Sequence, residues 1–482
     1  MIEKWTKEKL PLNPNTEIFR WGPVPMRIFY IADFLEGIFS NNFFRKDYPD
    51  YAWPNGLALS KNKRFVFVQE FPGLRRQGAK VFVELMLPVS VRNKIYKNWR
   101  KDLKSLEECE SKISEYPLVT LSEKEFVKLW REFHLAVACF WRHVAVPELA
   151  NYGSLEVLQS KLKPFTRDGV ELSHAMEVLT APEHNSFYGE EEIELSETDN
   201  IKIHRSKYFW LKNSYARVEV LPESFFAERK RLLPKNLRGR VAANFRKTKE
   251  RKSRLVSKMG LSSEIVSVAS AIVAGIEWQD ERKKDIWIYL HYKDVLLNEL
   301  ARRAGLLKDD LLDFREVELE RLLPDREIRR DIADRKIFVG FSCADGLVKA
   351  IDKKSVNYYW DTYAEEKAPA KLKEFSGTVA SAGSTSVVRG RVRIMLDPRD
   401  INPLANGEIL VTSMTTPEYV FAMKKAAAII TDAGGLTSHA AVTSRELGKP
   451  CIVGTKIATS VLKDGDTVEV RTDTGVVKVL KL

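Results

Sequence analysis

Apolar residues recur at three- and four-residue intervals through VRNKIYKNWRKDLKSLEECESKI (91–113) and SEKEFVKLWREFHLAVACFWRHV (122–144), and this period predicts two helices. Ser122 with Glu125 marks the start of the second as a capping box. A third helical pattern, DIWIYLHYKDVLLNELARRAG, closes on Gly305 as a C-terminal cap. Nearer the start, KRFVFVQE (63–70) and AKVFVELML (79–87) read as strands flanking GLRRQG, which predicts a hairpin. SFYGEEEIELSETDN (186–200) is acidic and reads as a solvated linker, and KYFWLKNSYARVEVL then gathers apolar and aromatic residues again. AEEKAPAK, charged, small and proline-containing, predicts an interdomain linker. Beyond it strands (SGTVAS, GRVRIML, GEILVTS, AAIITD, PCIVGT) alternate with helical segments, TPEYVFAMKKA among them, and DTVEVRTDTGVVKVL predicts a closing hairpin.

The expected fold class is therefore multidomain α+β. A mixed strand and helical region (1–200) leads to a mainly helical region (201–365), a linker (366–374) and a compact α/β domain (375–482). Hydrophobic residues make up 44% of the 482, enough for ordinary buried cores. The first residues, MIEKWTKEKLPLNPN, lack an apolar signal core, and IVSVASAIVAGIEW is too short to span a bilayer. Four scattered cysteines, Cys109, Cys139, Cys343 and Cys451, form no CxxC pair and argue against a zinc site or a disulfide framework. The expectation is a cytoplasmic protein with no metal site and no membrane partner.

The net charge of +12 is concentrated in one place: Arg229 to Lys258 holds thirteen Lys or Arg and one acid, Glu250. Leu237, Val241 and Phe245 at i, i+4 and i+8 make this block helical. Such a face is either solvated or binds a polyanion: nucleotide phosphates, an acidic partner or RNA. Nucleic acid is not favoured, because no RNA-binding motif accompanies the block.

Candidate chemistry centres on DAGGLTSHAAVTSRELGKP (432–450). Gly434 and Gly435 supply a tight turn after strand AAIITD. Thr437 or Ser438 is the N-cap, and His439 falls in the first helical turn. Free backbone N–H groups there favour negative charge and disfavour imidazolium, so the ring stays neutral and nucleophilic. A phosphoryl group on the ring would meet hydrogen-bond donors. Capping or packing by the histidine is the alternative that the local residues leave open.

GGLTSHAAVTSRELGKPCIVGT resembles the phosphohistidine motif in the swivelling domain of phosphoenolpyruvate-utilising enzymes, a family with phosphoenolpyruvate synthase, pyruvate phosphate dikinase and rifampicin phosphotransferase among its members. GTVASAGSTSVVRGRVRIMLDPRD, GEILVTSMTTPEYVFAMKKAAAIITDAGG and ATSVLKDGDTVEVRTDTGVVKVL extend the resemblance over 375–482. It implies that His439 carries the phosphoryl group, that Gly434, Gly435, Thr437 and Ser438 shape the phosphate site, and that Arg445 offers a cation or a salt bridge. More weakly, NTEIFRWGPVPMRIFYIADF and ARRAGLLKDDLLDFREVELERLL resemble the acceptor-binding middle domain of rifampicin phosphotransferase-like proteins. The family's usual Gly-His-Arg element is replaced there by Asn213-Ser214-Tyr215. His134, His143, His204 and His291 in this region read as ordinary packed or surface histidines.

No ATP-grasp pattern precedes the swivelling domain, and no pyruvate-binding barrel pattern follows it. The resemblance then implies a phosphotransferase component. An ATP-grasp-type nucleotide-binding partner would charge His439 in trans, with Mg²⁺ and ATP at that partner and no cofactor bound permanently here. The acceptor is an unidentified small molecule or protein. A reading from another class is a non-enzymatic or regulatory scaffold that binds an acidic partner or RNA through the basic block.

Overall fold

The computed structural model describes residues 12–13, 15–323, 331–364, 372–397, 404–415, 419–436 and 438–481. An antiparallel sheet of order β1-β3-β2-β4-β5 is built from β1 (Ile18–Pro25), β2 (Gly56–Lys61), β3 (Arg64–Glu70), β4 (Phe338–Ala344) and β5 (Leu347–Ala350). Asn62 and Lys63, both at positive φ, form the two-residue turn between β2 and β3, a turn whose twist matches that of paired strands. After β3 the chain leaves the sheet, runs through the long helices, and returns as β4. There Gly56 pairs with Cys343 and Lys61 with Phe338. The expected boundary at 200/201 thus falls inside one sheet and one continuous core, because both stretches supply strands to the former and buried residues to the latter.

Three long helices, Val89–Glu115, Glu123–Leu162 and Ser263–Ala304, pack around Trp99, Phe133, Phe140, Trp141 and Tyr289, all fully or almost fully buried. Their ends follow the sequence. Ser122 and Glu125 form the capping box, and Gly305 closes the last helix in the left-handed conformation. The predicted hairpin around GLRRQG is instead a helix, Phe71–Val81, which continues as a wide turn through Met86. A short apolar run reads alike as strand or buried helix; here Pro72 sits in the first turn, and the helix lies against Glu123–Leu162. The crossing is close enough to require glycine on both sides. A Cβ on Gly78 would lie 2.5 Å from the Leu149 carbonyl oxygen, and one on Gly153 would lie 2.1 Å from the Ala79 nitrogen.

The acidic stretch 186–200 is not a linker either. It contains the helix Phe187–Glu197, in which fully buried Glu191 pairs with His204 and Arg229. Of the expected linker 366–374, residues 366–371 lie outside the described residues. The basic block forms the helix Leu237–Met259, as its period predicts.

The C-terminal sheet has the order β6-β13-β12-β8-β9-β10-β11-β7. Its strands are β6 (Glu374–Ser376), β7 (Thr378–Ser381), β8 (Val387–Ile394), β9 (Ile409–Thr412), β10 (Ala428–Thr431), β11 (Cys451–Val453), β12 (Thr467–Arg471) and β13 (Val476–Lys481). Strands β8 to β11 are parallel neighbours, and β12 with β13 is the expected hairpin. Side chains alternate between faces. Ile409 and Val411 join one apolar cluster, while Leu410 between them joins the core shared with the helical body. The helix expected at 416–426 is seen over Val420–Lys425, with 416–418 outside the described residues. Among the described residues no helix is long and apolar enough to cross a membrane.

The glycine crossing gives a direct test of packing. Gly153→Ala is expected to destabilise the protein by about 1–3 kcal/mol, because backbone rather than a flexible side chain must yield. Thermal denaturation beside Gly169→Ala, whose Cβ would meet nothing within 4 Å, checks this. Equal melting temperatures for the two variants would refute the close crossing.

Candidate active site

Strands β9, β10 and β11 end side by side, and the loops leaving them, Ser413–Thr415, Asp432–Gly435 and Gly454–Lys456, gather at the carboxyl edge of the parallel strands. That edge is where open α/β sheets bind ligands. Gly434 turns the chain at φ +111°, a region side chains rarely adopt, and a Cβ there would lie 2.8 Å from Ser438 Oγ. Ser438 is the N-cap of the helix His439–Glu446, its Oγ accepting from the Ala441 N–H at 3.4 Å. Thr437 lies outside the described residues. Asp432 anchors the loop from below by accepting from the Thr459 N–H at 3.1 Å and the Thr455 hydroxyl at 3.2 Å, and burial raises its pKa.

His439 is the first residue of that helix, and both ring nitrogens meet threonine hydroxyls. Nδ1 lies 2.8 Å from Thr415 Oγ1, and Nε2 lies 3.3 Å from Thr443 Oγ1. The pKa of His439 is held well below the ordinary histidine value, first by burial and then by the positive charge of Lys283. Lys283 comes from the helix Ser263–Ala304 on the opposite side of the cleft. Burial disfavours its ammonium too, and Asp280 opposes that effect.

Arg445 is placed differently from a phosphate ligand. Its Nε donates to the Ala380 carbonyl at 3.0 Å and one terminal nitrogen donates to the Leu436 carbonyl, so it ties the glycine loop to β7. Its other terminal nitrogen is buried and has no partner among the described residues. Gly434, Gly435, Ser438 and His439 are therefore brought together at one wall of a cavity, with Arg445 behind it as a clamp.

That cavity measures about 940 Å³ and lies between the C-terminal unit and the helical body. The body contributes Trp21 from β1, Trp141 and Trp287 from the long helices, and Tyr215. Trp21 and Tyr215 meet edge to face at 6.2 Å, and Tyr215 and Trp287 at 5.5 Å. Asn213, beside Tyr215, is fully buried and holds this turn by donating to the Trp287 carbonyl at 2.8 Å and accepting from the Glu219 N–H at 3.0 Å. The Asn213-Ser214-Tyr215 element thus positions an aromatic wall. Across the cleft, Ser413 Oγ donates to the Pro23 carbonyl at 3.3 Å and Lys456 pairs with Glu17 at 3.0 Å.

Of the four histidines singled out in the sequence of the body, three have buried partners: His134 meets Asp33, His143 meets Tyr48, and His204 meets Glu191. The fourth, His291, packs edge to face on Phe209. Asp33, His134 and Glu316 bring potential ligand atoms within 4.8 Å of one another, but Lys293 already supplies a cation there through its ion pair with Asp33.

The sequence pattern did not single out Thr415, Thr443, Lys283 or the cavity wall. Thr443 was legible, since a residue four positions after His439 shares its helix face. Lys283 carried no local signal, because only the tertiary fold brings it opposite the histidine.

The fold and site define a histidine-bearing α/β domain with its histidine at the carboxyl edge of a parallel sheet. Residues 404–475 match the family described as PEP-utilising enzyme, mobile domain. It is 39% identical over 166 residues to a probable phosphoenolpyruvate synthase of Archaeoglobus fulgidus, 33% of this chain and 22% of the relative. A phosphoenolpyruvate synthase of Pyrococcus furiosus is 54% identical over 114 residues, 24% and 14% of the two chains. An uncharacterised phosphotransferase of Bacillus subtilis is 41% identical over 99 residues, 20% and 12%. The matches thus span less than a quarter of each of these relatives.

The charge of Lys283 can be read at His439. A nearby cation penalises imidazolium, so Lys283→Met is expected to raise the pKa of His439 toward the ordinary value near 6.5. NMR titration of the imidazole C–H signals checks this, and with seven histidines in the chain the His439 signal can be assigned by its loss in His439→Ala. An unchanged titration would put Lys283 outside electrostatic reach.

Proposed function

We propose that the chain is a phosphotransferase component in which His439 carries a phosphoryl group from a nucleotide-binding partner to an acceptor held in the cavity. The observation that carries this reading is the His439 ring, its protonation disfavoured by burial and by Lys283, set between two threonine hydroxyls at a helix start on the wall of a large cavity. The shorter contact is at Nδ1; we assign the ring proton to Nδ1, donating to Thr415 Oγ1, which makes the Nε2 lone pair the nucleophile. Nε2 attacks phosphorus as the bond to the leaving oxygen of the donor breaks, and a P–N bond forms. In the second half an acceptor hydroxyl oxygen attacks phosphorus. The P–N bond then breaks, its electron pair returns to Nε2, and the hydroxyl proton is released.

The cation of Lys283 and the N–H groups of the helix start stabilise the charge on the phosphoryl oxygens in both halves. The partner, of ATP-grasp type, supplies ATP and Mg²⁺, because phosphoryl transfer is chiefly positioning and charge neutralisation. The aromatic wall of Trp21, Tyr215 and Trp287 suits an acceptor with an apolar body, since cavities of this size and lining bury most of a drug-sized molecule.

Intact mass at neutral pH tests the reading after incubation with Mg-ATP, with phosphoenolpyruvate, and with each plus host lysate. The expected result is one acid-labile phosphoryl group with ATP plus lysate, absent in His439→Ala. Lys283→Met should slow labelling on the order of 10²-fold, and Thr415→Val about 5-fold, the loss of one hydrogen bond of about 1 kcal/mol. No labelling under any condition would sink the carrier role. Labelling by pure ATP or phosphoenolpyruvate would move the donor site into this chain.

A further inference from the structure

The helix Leu237–Met259 has 23 residues, none of them buried. Its contacts are with the helices Gly169–Leu179 and Phe187–Glu197. Cations on the side facing the body are paired with acids. Arg238 bridges to Glu197 at 2.7 Å, while Lys252 and Lys249 reach Glu183 at 2.8 and 4.0 Å. The cations on the other side are not. Arg246 is exposed and unpaired among the described residues but lies about 110° round the helix from the rest. Arg240, Lys247, Arg251 and Lys258 are likewise exposed and make no ion pair among the described residues, and Arg254 meets only Glu250 of its own helix, at 4.0 Å. Lys258 lies near enough to Glu171 to help lower its pKa without bridging to it.

These five occupy positions i, i+7, i+11, i+14 and i+18. At about 100° and 1.5 Å per residue they fall within about 60° of arc and form a straight stripe about 27 Å long. Lys247 with Arg251, and Arg254 with Lys258, are like charges four residues apart, an arrangement that weakens a helix. Apart from the Glu250–Arg254 pair, no ion pair among the described residues offsets that cost.

We propose that this stripe binds the phosphate backbone of a nucleic-acid duplex without regard to sequence. An acidic protein fits less well, for protein interfaces have apolar and aromatic cores depleted in lysine. No large apolar side chain on this helix is exposed. Backbone binding needs only Lys and Arg within reach of successive phosphates, and the affinity comes from the counterions they release. The short separations along the stripe, about 4.5 to 6 Å between Lys247 and Lys258, present four of the five cations as a nearly continuous line. The histidine site takes no part, so this binding stands or falls separately from phosphotransfer.

The test is fluorescence anisotropy of the full chain with labelled 24-base-pair RNA and DNA duplexes, with labelled polyglutamate as the third probe. One variant replaces Arg240, Lys247, Arg251, Arg254 and Lys258 by Gln. A control replaces exposed Lys94, Lys97, Lys101 and Lys104 by Gln. Binding of either duplex is expected, with log affinity falling against log salt at a slope of about −4 to −5, and with a loss of at least about tenfold in the stripe variant alone. All five side chains are exposed, so circular dichroism should show the fold unchanged. Equal or tighter binding of polyglutamate would overturn the proposal in favour of an acidic protein. So would an equal loss in the control variant, or no binding of either duplex at low salt.

Discussion

A histidine that accepts a phosphoryl group must keep one ring nitrogen unprotonated while sitting among positive charges that attract the incoming phosphate. These demands are met by one field. The N–H groups at a helix start and the ammonium of a lysine both oppose imidazolium, and both favour an anion beside it. In this protein Ser438 caps the helix so that His439 opens it, and Lys283 faces the ring from the other side of the cleft. The surrounding structure serves that placement. Gly434 turns at a φ other residues avoid, Asp432 fixes the loop to Thr455 and Thr459, and Arg445 ties the same loop to β7.

Lys283 can face the histidine only if the long helix that carries it is held in register with the C-terminal sheet. That register comes from the body, where a strand after the helical region pairs with a strand before it and closes the chain into one unit. The aromatic cavity wall draws on the same closure. Trp21 comes from β1, Trp141 from the helix crossed at Gly153, and Trp287 from the helix of Lys283. The cation opposite His439 and the Trp287 part of the aromatic wall are therefore carried by one helix. A shift of that helix moves both together.

Local signals in the sequence were faithful wherever the cause is local. The capping box at Ser122, the stop at Gly305, the N-cap before His439 and the helical period of the basic block all depend on residues within one or two turns. Where the cause is distant they failed. AKVFVELML is apolar enough for a strand, yet it is helical because it packs on a glycine far along the chain. The acids of 186–200 look solvated until His204 and Arg229 fold over Glu191. Arg445 sits where a phosphate ligand would be expected, but the carbonyls it meets belong to backbone whose position no spacing reveals. The place of His439 at a helix start was legible; the lysine that faces it was not.

The contacts between the two units bear on how a carrier domain can both dock and leave. Lys456 with Glu17 and Lys424 with Glu192 are partly exposed ion pairs, and pairs of that kind contribute about 0–1 kcal/mol. Phe421 meets Phe225 at 6.4 Å beneath Lys212 and Arg229, so even the aromatic contact is rimmed by charge. Such contacts orient the domain more than they lock it. A phosphoryl group on His439 would add about −1.5 to −2 charge opposite Lys283. By linkage, a group that is held more strongly in the docked state also strengthens docking. On the proposed reading the charged carrier is therefore drawn toward the acceptor cavity, and transfer removes the attraction that brought it there. Because those exposed ion pairs add so little, the charge of one phosphoryl group weighs heavily beside them.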